Sequence, residues 1–102
     1  MMWVASRRLP VLAALPVLLV SILQAQSGAG VVRGTVYDAA RAAVPGVKLV
    51  LTQAATNVAR EAASNDVGIF VIGGLPPGEY RLTAEKPGFR KWAGTLRLEA
   101  GQ

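Results

Sequence analysis

The sequence lacks two residue types on which much protein chemistry depends. Among its 102 residues there is no Cys and no His, and only 17% are charged. Without Cys there is no disulfide framework, thiol nucleophile or zinc–thiolate site. Without His, the usual general base at neutral pH and the commonest metal ligand are missing. Zinc-peptidase and Ser–His–Asp chemistry are therefore excluded, and we expect no enzyme activity, no catalytic residue, no metal site and no cofactor.

Apolar residues are present in excess, and they are concentrated at the N-terminus. Hydrophobic residues make up 52% of the chain. Residues 1–8 carry two Arg and no acid, residues 9–23 carry no charge, and a small polar stretch follows. This is the order of a secretory signal, whose fifteen-residue apolar core would span about 22 Å as a helix, less than the ~30 Å of a bilayer. We predict a signal peptide over residues 1–25, cleaved after Ala25.

Alternatives to this processing remain open. The segment could stay attached as an uncleaved anchor, and cleavage could instead follow Ser27 or Ala29. The Arg pair of the first eight residues resembles a twin-Arg export signal. However, Pro10 and Val11 stand where an aromatic residue and a Leu are expected, which favours the general secretory route. A short linker is predicted over residues 26–30.

The chain is less basic than its net charge of +5 suggests. Removal of residues 1–25 takes away two Arg and leaves nine basic residues against six acids, a net charge of +3. These basic residues are scattered among the acids, and only Arg90 and Lys91 form a pair. Nucleic-acid binding typically shows a dense basic stripe. We therefore expect no nucleic-acid partner, and membrane contact only through the signal before cleavage.

From residue 31 onward the apolar residues recur with a period of two, which is typical of half-buried antiparallel strands. The pattern predicts strands over residues 31–38, 47–53, 68–72, 79–85 and 95–99, separated by Pro-Gly and Asp-containing turns. The Ala-rich residues 54–63 are ambiguous, because Ala favours helix, and we favour a hairpin with a strand near 58–63. We predict one all-β domain over residues 31–102, an antiparallel two-sheet sandwich of about seven strands. Its expected core comprises Val32, Val36, Val47, Leu49, Leu51, Phe70, Ile72, Leu75, Tyr80, Leu82, Phe89 and Leu98.

The turn and core residues of this domain resemble the carboxypeptidase regulatory-like domain. The resemblance rests on Gly34-x-Val36-x-Asp38, Val44-Pro45-Gly46, Asp66-x-Gly68-x-Phe70, Leu75-Pro76-Pro77-Gly78-x-Tyr80-x-Leu82 and Pro87-Gly88-Phe89. It covers residues 31–102 and implies a prealbumin-like (transthyretin-like, Greek-key) sandwich behind an N-terminal signal helix. In this family the module often stands between a signal peptide and the plug and barrel of a TonB-dependent outer-membrane receptor.

The resemblance implies an exported, non-enzymatic module for binding or assembly. Its location would be periplasmic, outer-membrane-associated or secreted, and it would be free-standing or part of a longer receptor. Its partner would be another envelope protein or a receptor domain. The alternative hypothesis is a carbohydrate-binding module, whose partner is a glycan.

Candidate contact residues are few. Trp92 beside Arg90 and Lys91 is a candidate patch for sugar stacking or partner contact, and Tyr37 on the polar phase of the first strand is a second candidate. Core or edge packing is the ordinary role of aromatic residues at such positions. The carbohydrate hypothesis therefore predicts that Trp92 or Tyr37 is exposed beside polar side chains.

Two further chemistries are not expected from the residues present. Asp66 is too isolated to hold Ca²⁺, which needs six to eight oxygen ligands, and we expect it to cap its own turn. An intramolecular Lys–Asn isopeptide bond is not expected either, because Lys48 falls on the polar phase of its strand and the last strand contains no Asn.

Overall fold

The computed structural model describes residues 15–25 and 30–99, which form seven strands in two antiparallel sheets. The strands are β1 (Leu18–Ala25), β2 (Gly30–Asp38), β3 (Lys48–Gln53), β4 (Ala59–Ala63), β5 (Ile69–Leu75), β6 (Gly78–Glu85) and β7 (Trp92–Leu98). One sheet has the order β1-β2-β5, and the other has the order β4-β3-β6-β7. These described ranges contain no helix with the length and apolarity needed to cross a bilayer.

The all-β prediction is confirmed, and the Ala-rich segment forms a hairpin, as favoured from its sequence. Strand β4 pairs with β3, with Ala62 opposite Leu49. The turn between them is closed at Gln53, whose carbonyl accepts the Asn57 N–H at 2.8 Å and whose N–H donates to the Val58 carbonyl at 2.9 Å. Asn57 has a φ of 63°, a region that Asn tolerates better than most residues. The hydrogen-bonded turn at Gln53 and Asn57 therefore outweighs the helical preference of the Ala residues in this segment.

The seventh strand comes from the segment expected to be a signal helix. Leu18–Ala25 form β1, which pairs with β2 in one continuous register from Leu18 opposite Asp38 to Ala25 opposite Val31. Here the structure differs from the expected helix, because an apolar segment gains both hydrogen bonds and burial at the free edge of β2. Residues 1–14 of the predicted signal and residues 26–29 of the linker lie outside the described residues.

Inward-facing side chains of both sheets build the core. All but one of the residues expected in the core are buried, the exception being Phe89, which is half-buried in the turn before β7. The core also contains Leu18, Val44 and Ala84. Leu18 is 0% exposed, so the segment expected to be removed as a signal contributes to the centre of the sandwich.

Two loops are held by the same device, a side-chain oxygen that accepts two backbone N–H groups. The Oδ1 atom of Asp38 accepts from the residues two and four positions later, both at 2.9 Å. The Oδ1 atom of Asn65 bonds to the residues at the same offsets, at 3.0 and 2.9 Å. Asn65 therefore caps the turn for which Asp66 was the expected cap, while Asp66 lies exposed beside it.

Ser64 is buried and links a loop to the end of β4. Its hydroxyl accepts the Val47 N–H at 2.9 Å and donates to the Val44 carbonyl at 2.8 Å. Both capacities of the hydroxyl are thus used inside the protein, which is the condition for burying a polar group without a large cost.

The flank between β4 and β5 is closed by Arg60. Arg60 stands opposite Leu51 in the register of β3 and β4, so its side chain leaves the strand on the inner face of the sheet. Its Nη1 atom donates to the Gly73 carbonyl of β5 at 3.2 Å. One exposed guanidinium therefore ties the two sheets together at this flank.

Tyr80 holds the turn before β6. The residue is 3% exposed, and its hydroxyl donates to the Pro76 carbonyl at 2.6 Å. Burial raises the pKa of Tyr80, and the positive charge of Arg60 lowers it by a smaller amount. The phenol is therefore favoured over the phenolate in the folded protein.

Gly34 should tolerate no side chain. A Cβ atom there would lie 2.6 Å from Phe70 Cζ and would also collide with the Ser21 carbonyl oxygen. We expect Gly34→Ala to lower the free energy of unfolding by about 1–3 kcal/mol through overpacking, measured by urea denaturation. The control is Gly73→Ala, whose Cβ would meet only Val31 Cγ2 at 3.8 Å, with an expected change within about 0.5 kcal/mol. Equal effects of the two substitutions would contradict this packing.

Tyr80 should make the fold sensitive to alkali. Because its folded-state pKa is raised, its contribution is complete below the unfolded value of about 10 and is lost as the pH rises through the folded-state pKa. Tyr80→Phe should cost about 0.5–1.5 kcal/mol at neutral pH, since the bond to the Pro76 carbonyl is lost. Urea unfolding between pH 7 and 11 should show a smaller alkaline loss in the variant than in the unsubstituted chain. If the free energy of unfolding of both proteins falls equally between pH 7 and 11, Tyr80 is not the source of the alkaline sensitivity.

Candidate functional site

Charged side chains lie on the surface in exposed pairs. Arg97 contacts Glu79 at 3.1 Å and Glu99 at 3.3 Å, and Lys91 contacts Glu85 at 3.2 Å. All five side chains are more than half exposed, and such pairs contribute at most about 1 kcal/mol each. Within residues 15–25 and 30–99, no group of three or more acids could hold a metal ion.

The run Arg90–Lys91–Trp92 leads into β7, and its members differ in environment. Arg90 and Lys91 are exposed, whereas Trp92 is half-buried and packs against the core. The indole lies over Gly94, since a Cβ atom on that residue would come within 2.6 Å of Trp92 Cη2. Trp92 thus faces the sandwich interior on the same side of the strand as Leu96. This placement is edge packing and differs from the exposed platform that the carbohydrate hypothesis predicts.

Tyr37 lies on the outer face of the three-stranded sheet and is half-buried. The guanidinium carbon of Arg41 is 5.9 Å from the centre of its ring, within the range of a cation–π contact. A shallow, open depression beside the ring is lined by Ser21, Thr35, Arg41 and Ala43. The two aromatic candidates therefore lie on different surfaces, one facing outward from one sheet and the other facing inward from the other sheet.

The edge of β2 that pairs with β1 was not among the candidates from the sequence. The Val36 N–H donates to the Gly68 carbonyl at 2.7 Å, on the β5 side. Backbone groups of successive residues point to opposite edges of a strand. The N–H groups of Arg33, Thr35 and Tyr37 therefore point to β1, whose backbone satisfies this edge.

Strand β1 also fills an apolar space between the two sheets. Leu18 is fully buried, and Val20 and Ile22 pack against the core. The residues just before β1 reach the other sheet, where the Arg90 N–H donates to the Pro16 carbonyl at 2.8 Å. Strand β1 therefore closes the flank of the sandwich between β2 and β7.

The sequence does not reveal that residues 18–23 form a strand at this edge. Every residue in this segment except Ser21 is apolar, so no alternation of apolar and polar residues is visible. Such a run suits the core of an export signal and a buried strand equally well. The one feature that favours a strand is the presence of β-branched residues, Val20 and Ile22, at alternate positions.

The predicted cleavage position coincides with the end of β1. Ala25 is the last residue of the strand and stands opposite Val31. A peptidase needs the backbone around its cleavage site free, whereas β1 has this backbone paired with β2. Any cleavage after Ala25 must therefore precede the docking of β1 on β2.

The motif residues now have a structural setting that can be compared with known families. The family model of the carboxypeptidase regulatory-like domain matches residues 31–102. The chain belongs to this family. A comparison with curated proteins finds no match. Domains of this family are non-catalytic β-sandwich modules. Strand β1 lies outside the residues matched.

In this regulatory-like domain the characteristic residues act as turn and core elements. Gly68 and Gly78 have φ angles of 79° and 143°, conformations that side chains rarely allow. Phe70 and Tyr80, each two residues further on, are buried in the core. The motif residues therefore account for turns and core positions of the fold.

Trp92 should contribute to the stability of the fold, because its indole packs against the core. We expect Trp92→Ala to lower the free energy of unfolding by about 1–3 kcal/mol, less than the truncation of a fully buried aromatic residue. Lys91→Ala, which removes only an exposed ion pair with Glu85, should change it by less than about 0.5 kcal/mol. Urea denaturation of both variants checks this. A Trp92→Ala variant as stable as the unsubstituted chain would contradict this packing role.

Proposed function

We propose that this regulatory-like domain is an exported, non-enzymatic module for binding or assembly in the cell envelope. It is of the kind that stands before the plug and barrel of a TonB-dependent receptor, and its partner is another envelope protein or receptor domain. The observation that carries the proposal is the order along the chain. A segment with the composition of an export signal, residues 1–25, directly precedes a family domain over residues 31–102.

Several polar side chains support a non-enzymatic role, because they bond to the protein's own backbone and thereby hold its loops and turns. Asp38 and Asn65 cap loops, while Ser64 and Tyr80 bond to backbone groups beside them. The chain also has no His or Cys. The chemistry that it offers a partner is therefore backbone hydrogen bonding at strand edges and contact through exposed side chains.

Carbohydrate binding is the second candidate, and the surroundings of Tyr37 favour it over the Trp92 patch. Tyr37 borders a depression that contains the hydroxyl-bearing residue Thr35, which the exported protein would keep, and Ser21, which cleavage would remove. An array of glycans with the exported protein tests this role, and our proposal expects no saturable binding. Binding that is lost in Tyr37→Ala but kept in Val71→Ala, an exposed residue of the same sheet, would establish carbohydrate binding instead.

Export should yield a protein that begins at Gln26. The full chain with a C-terminal tag is expressed in a Gram-negative host, and the intact mass of the periplasmic protein is measured. Ala25→Arg should block this cleavage, because signal peptidase requires a small residue before the cut. Gln24→Glu, at a position without that requirement, is the matched control and should be processed normally.

Recovery of the uncut chain in the cytoplasm would refute the export. A start after Ser27 or Ala29 would shift the boundary and leave the proposal standing. The reading frame beyond Gln102 distinguishes the two forms of the module: codons for a plug and barrel would place it in a receptor, and a stop codon would make it free-standing.

A further inference from the structure

We propose that the edge of β2 is a docking slot for one extended apolar segment of a partner protein, which takes the position that β1 holds in the structure. This inference rests on the export proposed above. It deepens that proposal by naming the surface and the chemistry of the partner.

Cleavage after Ala25 would remove all of β1, because the strand ends at that residue. The N–H groups of Arg33, Thr35 and Tyr37 would then lose their partners on β1, which stand opposite them in the register. On the general secretory route the chain crosses the membrane unfolded and folds after cleavage. The exported domain would therefore form its sandwich with one edge of β2 unpaired.

The vacated position has an apolar floor. Leu18, which is fully buried, occupies it in the structure. The inward side chains of the neighbouring strands remain, with Val32 and Val36 on β2 and the half-buried Trp92 and Leu96 on β7. An unpaired edge above an apolar floor is the arrangement that strand addition uses, in which the backbone gives affinity and alternate side chains give specificity.

Strand β1 defines what the slot accepts. It is eight residues long, antiparallel to β2, and directs Leu18, Val20 and Ile22 at alternate positions toward the core. The intervening Ser21 is exposed, so polar residues fit these outward positions. The exposed Arg33 stands opposite position 23, which favours an acidic or polar residue there. The expected partner segment therefore alternates apolar and polar residues.

A second copy of this chain fits the slot less well. Paired edge to edge, its own β2 would present Val32, Gly34 and Val36 toward the floor. These side chains are smaller than Leu18, Val20 and Ile22, and would leave the position of Leu18 underfilled. A segment with larger apolar side chains is therefore the better occupant.

The test uses the exported protein, with its N-terminus established by mass, and a synthetic peptide of residues 16–25 carrying a fluorophore and a C-terminal Lys₃ tail for solubility. We expect saturable binding by fluorescence anisotropy. In the peptide, the N–H groups of Leu19, Ser21 and Leu23 face β2, because these residues stand opposite Tyr37, Thr35 and Arg33.

Two N-methylated peptides of equal composition separate strand addition from general apolar adhesion. Methylation at Leu19, Ser21 and Leu23 removes the donors to β2 and should weaken binding at least about tenfold, as expected for three lost backbone hydrogen bonds. Methylation at Val20, Ile22 and Gln24, whose N–H groups point away from β2, should change the affinity less than about threefold.

Amide hydrogen exchange by NMR locates the peptide. The N–H groups of Arg33, Thr35 and Tyr37 should exchange rapidly in the exported protein and become protected when the peptide binds. The Val36 N–H, which donates to the Gly68 carbonyl, should be protected in both states.

The outcomes separate this inference from the proposal beneath it. Binding with the expected methylation pattern and protection of the three amides supports the slot. An exported protein that begins at Gln26 but binds no peptide, or binds both methylated peptides equally, overturns the slot and leaves export intact. A dimer of the exported protein that protects the same amides assigns the edge to a second copy and also overturns it. An uncut, non-exported chain overturns both.

Discussion

Strand β2 holds the three-stranded sheet together, because its backbone groups bond to β5 on one edge and to β1 on the other. A backbone N–H or carbonyl is satisfied where its strand pairs with a neighbour, and in the three-stranded sheet of the described residues β2 alone is paired on both edges. Both neighbours approach β2 closely at buried Gly34, where a Cβ atom would collide with Ser21 of β1 and with Phe70 of β5. The family domain over residues 31–102 contributes six of the seven described strands, and the one outside it is β1.

The rest of the domain is held without disulfides by short bonds from side chains to the backbone. Ser64, Asn65 and Asp38 each hold a loop, and the Tyr80 hydroxyl holds the turn before its own strand. A domain of this size buries a modest share of its surface. Loops that are ordered by hydrogen bonds from their own side chains need fewer contacts with the core.

Most of the fold follows from the sequence, because period-two alternation and Pro-Gly turns are local signals. Residues such as Leu49, Leu82 and Leu98 are buried as their phase predicts. The role of Leu18 could not be predicted, because an apolar run reads the same in a signal as in a buried strand. The edge of β2 could not be recognised as a candidate surface from the sequence either, because its pairing depends on which distant strands become neighbours in the fold. Trp92 shows the same limit, because only the fold reveals that its ring covers Gly94.

The guanidinium of Arg60 affects where further strands could add to the sheets. It lies on the inner face of edge strand β4 and bonds to the Gly73 carbonyl of the opposite sheet. A charge pointing inward from an edge strand disfavours the stacking of further strands there. The two flanks of the sandwich therefore differ. The flank at β4 carries the charged Arg60 side chain, whereas at the other flank β1 covers the edge of β2. Further strands should therefore add less readily beside β4 than at an edge that lacks an inward-pointing charge.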